Sequence, residues 1–444
     1  MKLVTTLFLL LALMGTKISF AQDTLEVSTD EKVSELKGQV DGINETLLEM
    51  KSTLDAIKKI KVSGYIQAQF QSAQNDNVKS FAGGNFATFT HNRMMIRRGR
   101  IKFNYDNDLT NYVVQFDINE GGLSTKDAYI TVKEPWMRTA ELWAGLFNRP
   151  FGFEIEYSSS SRETPERTRM FQTLFPGERD LGAKLEIRPQ DGPLSIFNLK
   201  AGLFNGNGIG AESDNYKDFI GRLGFSLPFT ETNLALDGGV SLYSGKVKLD
   251  AAKKIYTLDN PSTVPTAQDA SVQSAKRNYL GGDFQLYYDL PALGGFSLRG
   301  EYISGKQPGS AGDNKVYSRS QGDMYLRNFT GYYLWLVQNI GNDNQLIVKY
   351  DVFDPNKDVT GDAIGKVGGN SKLGFGDIKF TTIGLGWVYH WDANVKFVFY
   401  YDKVSNEKIN AAATSATLLN GAGELIYKDD VRDNVFTVRV QYKF

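Results

Sequence analysis

Cysteine is absent from this 444-residue chain, and histidine occurs only twice, at His91 and His390. Without cysteine there can be no disulfide scaffold, no cysteine-ligated zinc site and no thiol nucleophile. Two histidines leave little material for histidine-based acid–base catalysis or for metal binding. We therefore expect a protein that is not an enzyme and that carries no metal or other cofactor.

Neither sign of charge dominates, because 50 Lys+Arg residues face 51 Asp+Glu residues. A nucleic-acid-binding protein needs a basic field to release counterions, so the balance argues against a nucleic-acid partner. Proline is scarce, with 12 residues, whereas glycine (44), phenylalanine (28) and tyrosine (22) are abundant. This composition favours one large β structure over the two or three soluble domains that the length alone could suggest.

Long hydrophobic runs are missing after the first apolar stretch at residues 3–14. That stretch is followed by Ser19 and Ala21, a small-x-small pattern that predicts a signal peptide over residues 1–21. A membrane anchor is the alternative, but the run is short for a hydrocarbon core of about 30 Å. The exported protein is therefore either soluble or crosses a membrane as β-strands.

Residues 30–60 carry a heptad pattern. Apolar residues recur at alternating spacings of three and four, at Val33, Leu36, Val40, Ile43, Leu47, Met50, Leu54 and Ile57. This spacing predicts a coiled-coil helix, and its β-branched residues lean toward three or more strands. Gly38 and Gly42 each weaken a helix by about 1 kcal/mol relative to alanine, so partner helices are expected to support it. A single amphipathic helix that packs on its own chain is the alternative.

From residue 62 to the end, the apolar period becomes two. Phe436, Val438 and Val440 alternate with Thr437 and Arg439, for example. We count sixteen strand candidates, which start near residues 62, 94, 111, 125, 139, 182, 194, 217, 233, 275, 294, 328, 344, 376, 394 and 432. The links after odd-numbered strands are mostly long and those after even-numbered strands are short, as in outer-membrane barrels. A large soluble β protein would not order its connections by length.

The predicted fold is thus all-β. It is a sixteen-stranded antiparallel transmembrane β-barrel over residues 62–444, preceded by a short coiled-coil helix in the periplasm. Aromatic residues should end the lipid-facing stripes as interface girdles, at Tyr105, Tyr112, Trp143, Trp387, Tyr389, Tyr401 and Tyr442. The terminal Phe444, two residues after Tyr442, is expected to be the signal that the barrel-assembly machinery reads.

Several short segments are similar to a known family. They are the helix leading into 62–67, then 96–103 (Ile-Arg-Arg-Gly-Arg-Ile-Lys-Phe), 126–130, 145–152, 176–182 and 439–444. In this order they resemble the phosphate-selective porin O and P family in its Bacteroidota-type form, over essentially all of 30–444. The resemblance implies a porin of the outer membrane of a Gram-negative bacterium. It also implies a barrel that is commonly a homotrimer and that passes small hydrophilic solutes by passive diffusion.

The candidate selectivity residues are basic. They either lie on the strand face that the two-residue period places in the lumen or belong to the long link 148–181. Rings of Arg and Lys lower the barrier for anions, and carboxylates do the reverse. The candidates are Arg98, Arg100, Lys102, Arg149, Arg162, Arg167, Arg169, Arg179, Arg222, Arg299 and Arg439. Lumen-facing acids such as Asp117, Asp283 and Glu301 lie among them, so at most a modest, phosphate-type anion preference is expected. Alternatively, facing pairs such as Arg299 with Glu301 simply neutralise one another.

The link 148–181 is expected to fold into the barrel and narrow it. Besides its charges it carries Met170, Phe171, Leu174 and Phe175, and an apolar cluster of this size should be buried against the wall. An outward surface loop is the alternative. A second reading of the whole chain is a structural or adhesive outer-membrane protein that reaches the cell wall or a partner through its coiled coil and loops.

Overall fold

The computed structural model describes residues 29–250, 253–262, 267–268, 274–315, 320, 322–413, 415–420 and 423–444. The predicted signal peptide lies outside the described residues. Contacts divide the chain into two units, one ending at Lys58 and the other running from Lys59 to Phe444.

The helices and strands are numbered in chain order. They are α1 (Thr29–Lys58), β1 (Ile60–Ala73), β2 (Asn92–Asn107), β3 (Thr110–Asn119), β4 (Gly122–Lys133), β5 (Ala140–Asn148), α2 (Arg169–Leu174), β6 (Arg179–Ile187), β7 (Phe197–Phe204), β8 (Asp218–Phe229), β9 (Leu234–Lys248), β10 (Ile255–Thr257), β11 (Ala267–Gln268), β12 (Ser274–Leu290), β13 (Gly294–Gly309), β14 (Met324–Ile340), β15 (Asn344–Asp354), β16 (Phe380–His390), β17 (Val395–Asn406) and β18 (Val435–Lys443). Short 3₁₀ turns lie at Pro193–Ile196, Thr230–Thr232, Gly361–Ala363, Phe375–Asp377 and Ala416–Leu418.

Helix α1 covers almost the whole predicted heptad segment. Its eight heptad-core side chains are all exposed, by between 51% (Leu54) and 59% (Ile43). Among the described residues, the helices are too short or too polar to cross a membrane.

Sixteen of the strands form one closed antiparallel barrel. Strands β1 to β9 pair in sequence, β9 pairs with β12, and β12 to β18 again pair in sequence. Closure comes from β18 returning to β1, where Ala68 lies opposite Val440. The remaining two strands are short additions, of which β10 runs parallel to β14. The predicted sixteen-stranded barrel is confirmed, and each of its strands begins within four residues of the predicted position.

The two faces of the barrel differ as the period of two predicts. Val240 and Leu385 on the outer face are 59% and 50% exposed, whereas Gln67, Arg98 and Arg439 are buried inside. Successive side chains of a strand point to opposite faces, so the alternation in the sequence becomes an apolar exterior and a polar interior. Five predicted girdle residues are exposed outside, namely Tyr105, Tyr112, Trp387, Tyr401 and Tyr442.

Trp143 departs from the predicted girdle, and this part of the prediction is wrong. Its indole stacks on Tyr129 inside the barrel, with ring centroids 4.7 Å apart, while the neighbouring Leu142 is 51% exposed. Both faces of β5 are apolar, with Leu142 and Ala144 outside and Trp143 and Phe147 inside. Alternation in polarity therefore could not show which face of this strand looks inward.

The long loops at one end of the barrel share a hydrophobic core of their own. Leu258, Ile364, Ile378 and Leu418, which come from three different loops, are buried together. Beside them Arg327 donates to Asp377 over 2.8 Å, and both side chains are fully buried. We call this assembly the loop cap. The described parts of these long loops are therefore held together by a shared core.

Candidate functional site

The link between β5 and β6 folds into the barrel, as predicted. We call residues 149–178 the inner loop. Its Ser159 carbonyl accepts a hydrogen bond from Gln67 of β1 over 3.0 Å, and its Gly152 backbone N–H donates to Ser241 of β9 over 2.9 Å. Since β1 and β9 lie on opposite sides of the barrel, the inner loop crosses the lumen.

The apolar part of the inner loop packs on an aromatic section of the wall. Met170, Phe171, Leu174 and Phe175 are each at most 1% exposed. Phe175 meets Tyr243 of β9 and Tyr279 of β12 with ring centroids 5.9 and 5.7 Å apart. Burial of a large apolar side chain contributes about 1.5–3 kcal/mol, so this cluster holds the loop firmly against one side of the lumen.

Charged side chains fix the inner loop to the wall at several further points. Glu154 accepts a hydrogen bond from Lys349 over 3.0 Å, and Glu163 accepts one from Arg299 over 3.1 Å. Arg299 therefore pairs with the loop and not with Glu301. The Glu301 carboxylate instead receives the backbone N–H of Phe153 over 3.0 Å.

Three arginines on the wall converge on Glu166 of the inner loop. Arg97 donates over 2.8 and 2.9 Å, Arg98 over 2.7 and 3.3 Å, and Arg439 over 2.9 Å. Arg97 and Arg98 are adjacent, and both reach inward because the β1–β2 register shifts by one residue between Gln67 and Ala68. A β-bulge of this kind places two neighbouring side chains opposite one residue of the partner strand. Strict alternation includes Arg98 but misses Arg97.

The pKa of Glu166 lies well below its ordinary value. Burial alone would raise it, but the nearby guanidinium groups of Arg97, Arg98 and Arg439 more than offset burial. The Glu178 carboxyl has a similarly depressed pKa, because Arg167 and Arg179 outweigh the effect of its burial. Both carboxylates are therefore charged throughout the neutral range and act as fixed anions inside the barrel.

Several candidate arginines support the inner loop itself. Arg149 donates to the Pro176 carbonyl over 3.0 Å, and Arg162 donates to the Pro165 carbonyl over 3.1 Å. Arg167 binds the carbonyl oxygens of Glu154, Ile155 and Tyr157 over 2.7, 3.0 and 3.0 Å. Each guanidinium offers five donors, so one arginine can satisfy several backbone acceptors that a buried loop leaves unpaired.

Arg169 lies between two aromatic rings. Its guanidinium carbon is 4.3 Å from the ring centroid of Phe81, in the loop after β1, and 3.8 Å from that of Phe380 on β16. A cation over an aromatic face is attracted to it, more strongly where water is excluded. Arg169 thus ties the first long loop to the inner loop.

A cavity of about 450 Å³ lies beside the inner loop toward the short-turn end. Its basic lining residues are Arg100, Lys102, Arg167, Arg179, Lys184, Lys200 and Lys443, against the acidic residues Asp127, Glu156 and Glu186. The excess of cations over anions in its lining favours the entry of anions into this cavity. Ion pairs moderate the excess, since Arg179 meets Asp127 over 3.0 Å. On the far wall Arg222 is similarly held by Asp283 over 2.6 Å.

Lys184 and its aromatic neighbours were not among the predicted site residues. The Lys184 ammonium lies 4.0 Å from the ring centroid of Trp143 and 3.1 Å from Glu186. Lys184 lies two residues from Glu186 on β6, and so on the same face of the strand. The alternation of side chains could therefore have predicted that Lys184 faces the lumen. Within the described part of the chain, no cluster of three or more acidic or histidine side chains is placed to hold a metal ion.

Comparison with known proteins gives a likeness of fold. No family model matches the sequence, and no curated protein matches it. Among solved structures, the barrel is similar to OprB of Pseudomonas putida, with a TM-score of 0.57 at 10% identity over 89% of this chain and 96% of that one. It is also similar to an anion-selective porin from Comamonas acidovorans, with a TM-score of 0.51 at 12% identity over 87% and 99% of the two chains. A third similar structure is the outer-membrane channel DcaP of Acinetobacter baumannii. Its TM-score is 0.50 at 11% identity, over 87% of this chain and 97% of that one.

At such low identity these likenesses establish the barrel fold and nothing finer. The resemblance to the phosphate-selective porin O and P family stays a prediction.

Proposed function

We propose that this chain is an outer-membrane porin, a water-filled channel through which small hydrophilic solutes diffuse passively. The observation that carries the proposal is the closed barrel with a charged interior that its own inner loop narrows. An apolar exterior suits lipid, and closure leaves no unpaired strand edge, which hydrocarbon would not tolerate. In this orientation the short turns face the periplasm and the loop cap faces the outside.

The anion preference is proposed to be modest. The cavity that holds Arg100 and Lys102 has more cations than anions, but many wall arginines are already paired with carboxylates. Arg98, Arg222, Arg299 and Arg439 all donate to an acidic side chain. Charge that is neutralised locally contributes little to the field along the pore, so the unpaired excess around the cavity sets the preference.

We further propose that the protein is a homotrimer held partly by α1. The exposed heptad stripe is what a coiled coil buries between copies. At the other end of the chain, Phe444 and Gly64 exchange backbone hydrogen bonds of 3.0 Å in both directions. Phe444 thus completes the junction between the last strand and the first, where the barrel-assembly machinery is proposed to act.

Single-channel recording in planar bilayers tests the function. A porin gives stepwise conductance that scales with bulk salt, and a reversal potential in a salt gradient gives its ion preference. A barrel that inserts without conducting would contradict the proposal and favour the alternative, a structural or adhesive protein that uses its loop cap and helix to bind partners. For a barrel that does conduct, liposome swelling with neutral sugars of increasing size reports the pore diameter.

A further inference from the structure

The contacts of Glu166 point to a role beyond holding the inner loop. Its carboxylate receives five hydrogen bonds from three guanidinium groups. The side chains of Arg98, Arg439 and Glu166 are 5%, 3% and 8% exposed, and that of Arg97 is 24% exposed. Three positive charges thus meet one negative charge in a nearly water-free place.

Two of the three arginines, Arg98 and Arg439, have hydrogen-bond partners on the wall that are independent of Glu166. Arg98 donates to the side-chain oxygen of Gln67 over 3.0 Å, and Arg439 donates to that of Gln69 over 2.9 Å. Both glutamines are on β1, between the strands that carry the arginines. Because the wall itself orients these two guanidinium groups, they should keep their arrangement when the loop carboxylate is removed, and Arg97 stays next to Arg98 on β2.

Guanidinium groups held in this way form a preorganised oxyanion site, since each presents paired donors to a carboxylate or a phosphate. We propose that Glu166 is an internal counter-anion that occupies, and so closes, an oxyanion site formed by Arg97, Arg98 and Arg439. Glu166 is then a specificity-determining residue, because it keeps a tetrahedral oxyanion from binding at the loop. This inference rests on the proposed channel function.

The first experiment compares Glu166→Gln with Glu163→Gln. Both variants remove one loop carboxylate, but Glu163 faces the single arginine Arg299. Chloride current through each channel is measured while inorganic phosphate is added. Phosphate should block E166Q at a concentration at least about tenfold lower than it blocks the wild type, and E163Q should stay within about twofold of the wild type. Equal sensitivity of E166Q and E163Q would overturn the inference.

A second substitution locates the phosphate. Arg98→Gln in the E166Q background should remove the gained sensitivity, and persistence of the block would place the anion elsewhere and overturn the assignment. If E166Q does not fold, Glu166→Ala replaces it, since it also removes the carboxylate that occupies the site. The same gain in phosphate sensitivity is expected of that variant, and its absence would contradict the proposal. A wild type that does not conduct would instead refute the proposed function itself.

Discussion

Lys349 on β15 and Glu154 in the inner loop form a buried ion pair, with Nζ and Oε1 3.0 Å apart and side-chain exposures of 5% and 0%. The Glu154 carboxylate also accepts the hydroxyl of Thr168 over 2.6 Å, so one acidic group joins two parts of the loop to the wall. Burial opposes its ionisation, but Lys349 and Thr168 keep the pKa of Glu154 below its ordinary value. The pair fixes where the loop crosses the lumen.

Removing one partner of this pair should loosen the loop. Lys349→Met leaves a buried carboxylate uncompensated, a change that typically costs about 3–5 kcal/mol. The barrel should persist, because its strand pairing is untouched, but the conductance should fluctuate between sublevels. The double variant Lys349→Met with Glu154→Gln removes both charges and should restore a steadier current. Equally noisy single and double variants would show that the charge imbalance is not the cause.

Neighbouring residues of β2 should differ in their access to water. Lys102 lines the cavity, whereas Phe103 lies outside and is 44% exposed. The chain has no cysteine of its own, so a single cysteine introduced at either position is the only thiol that a reagent can label. In liposomes, a charged thiol reagent should label a cysteine at 102 and spare one at 103. The reverse pattern would mean that the faces of β2 are exchanged.

The heptad stripe of α1 should stabilise the oligomer. Leu36→Asp together with Ile43→Asp places charge in the proposed coiled-coil core and should lower the temperature at which the trimer dissociates on unheated gels. Ser34→Asp with Ser52→Asp adds the same charge at positions away from the stripe and should have little effect. If the wild type runs as a monomer in mild detergent, the coiled-coil proposal is wrong.

The sequence predicts the barrel well because strand alternation and loop length are properties of local sequence. Its failures have specific causes. Trp143 lies on a strand with two apolar faces, so polarity could not assign its direction. Arg97 faces inward only because a bulge shifts the register at Gln67, and nothing in the alternation marks that shift.

The partners of the loop arginines were also beyond prediction. Arg162 and Arg167 are charged residues of a long link, which suggested a selectivity role. In the structure they donate to backbone carbonyls of the same loop. Those bonds depend on the three-dimensional path of the loop, which the wall determines. The shared core of the loop cap was missed for the same reason, since its apolar residues are scattered over loops far apart in sequence.

Mild acid should leave the inner loop anchored. The pKa values of Glu154, Glu166 and Glu178 are all depressed from an ordinary value of 4.5. A depressed carboxyl pKa contributes stability that is fully present above the unfolded-state pKa and is lost as the pH falls through the folded-state pKa. These three carboxylates should therefore stay ionised and keep their ion pairs from pH 7 to about 5. Infrared spectra in which substitution of any of the three removes a protonated-carboxyl band within that window would contradict this prediction.

The last prediction separates residues that set ion preference from residues that build the loop. Lys102 contributes its ammonium to the cavity wall, so Lys102→Gln should move the reversal potential toward cation preference without added noise. The same change at Lys37, on α1, should have no effect. Replacing Arg162, Arg167 and Arg169 together removes more charge, but it also removes their bonds to loop carbonyls and to two aromatic rings. That triple variant should show unstable conductance instead of a clean shift.

The Lys102 effect should also shrink at 1 M salt, where the Debye length is about 3 Å. The opposite result would be a shifted ion preference with steady current in the triple variant and an unchanged ion preference in Lys102→Gln. That result would show that the loop arginines, and not Lys102, determine the selectivity. Measuring both variants at 0.1 M and 1 M salt decides between the two, because screening weakens a through-space charge effect and leaves a change in loop structure unaltered.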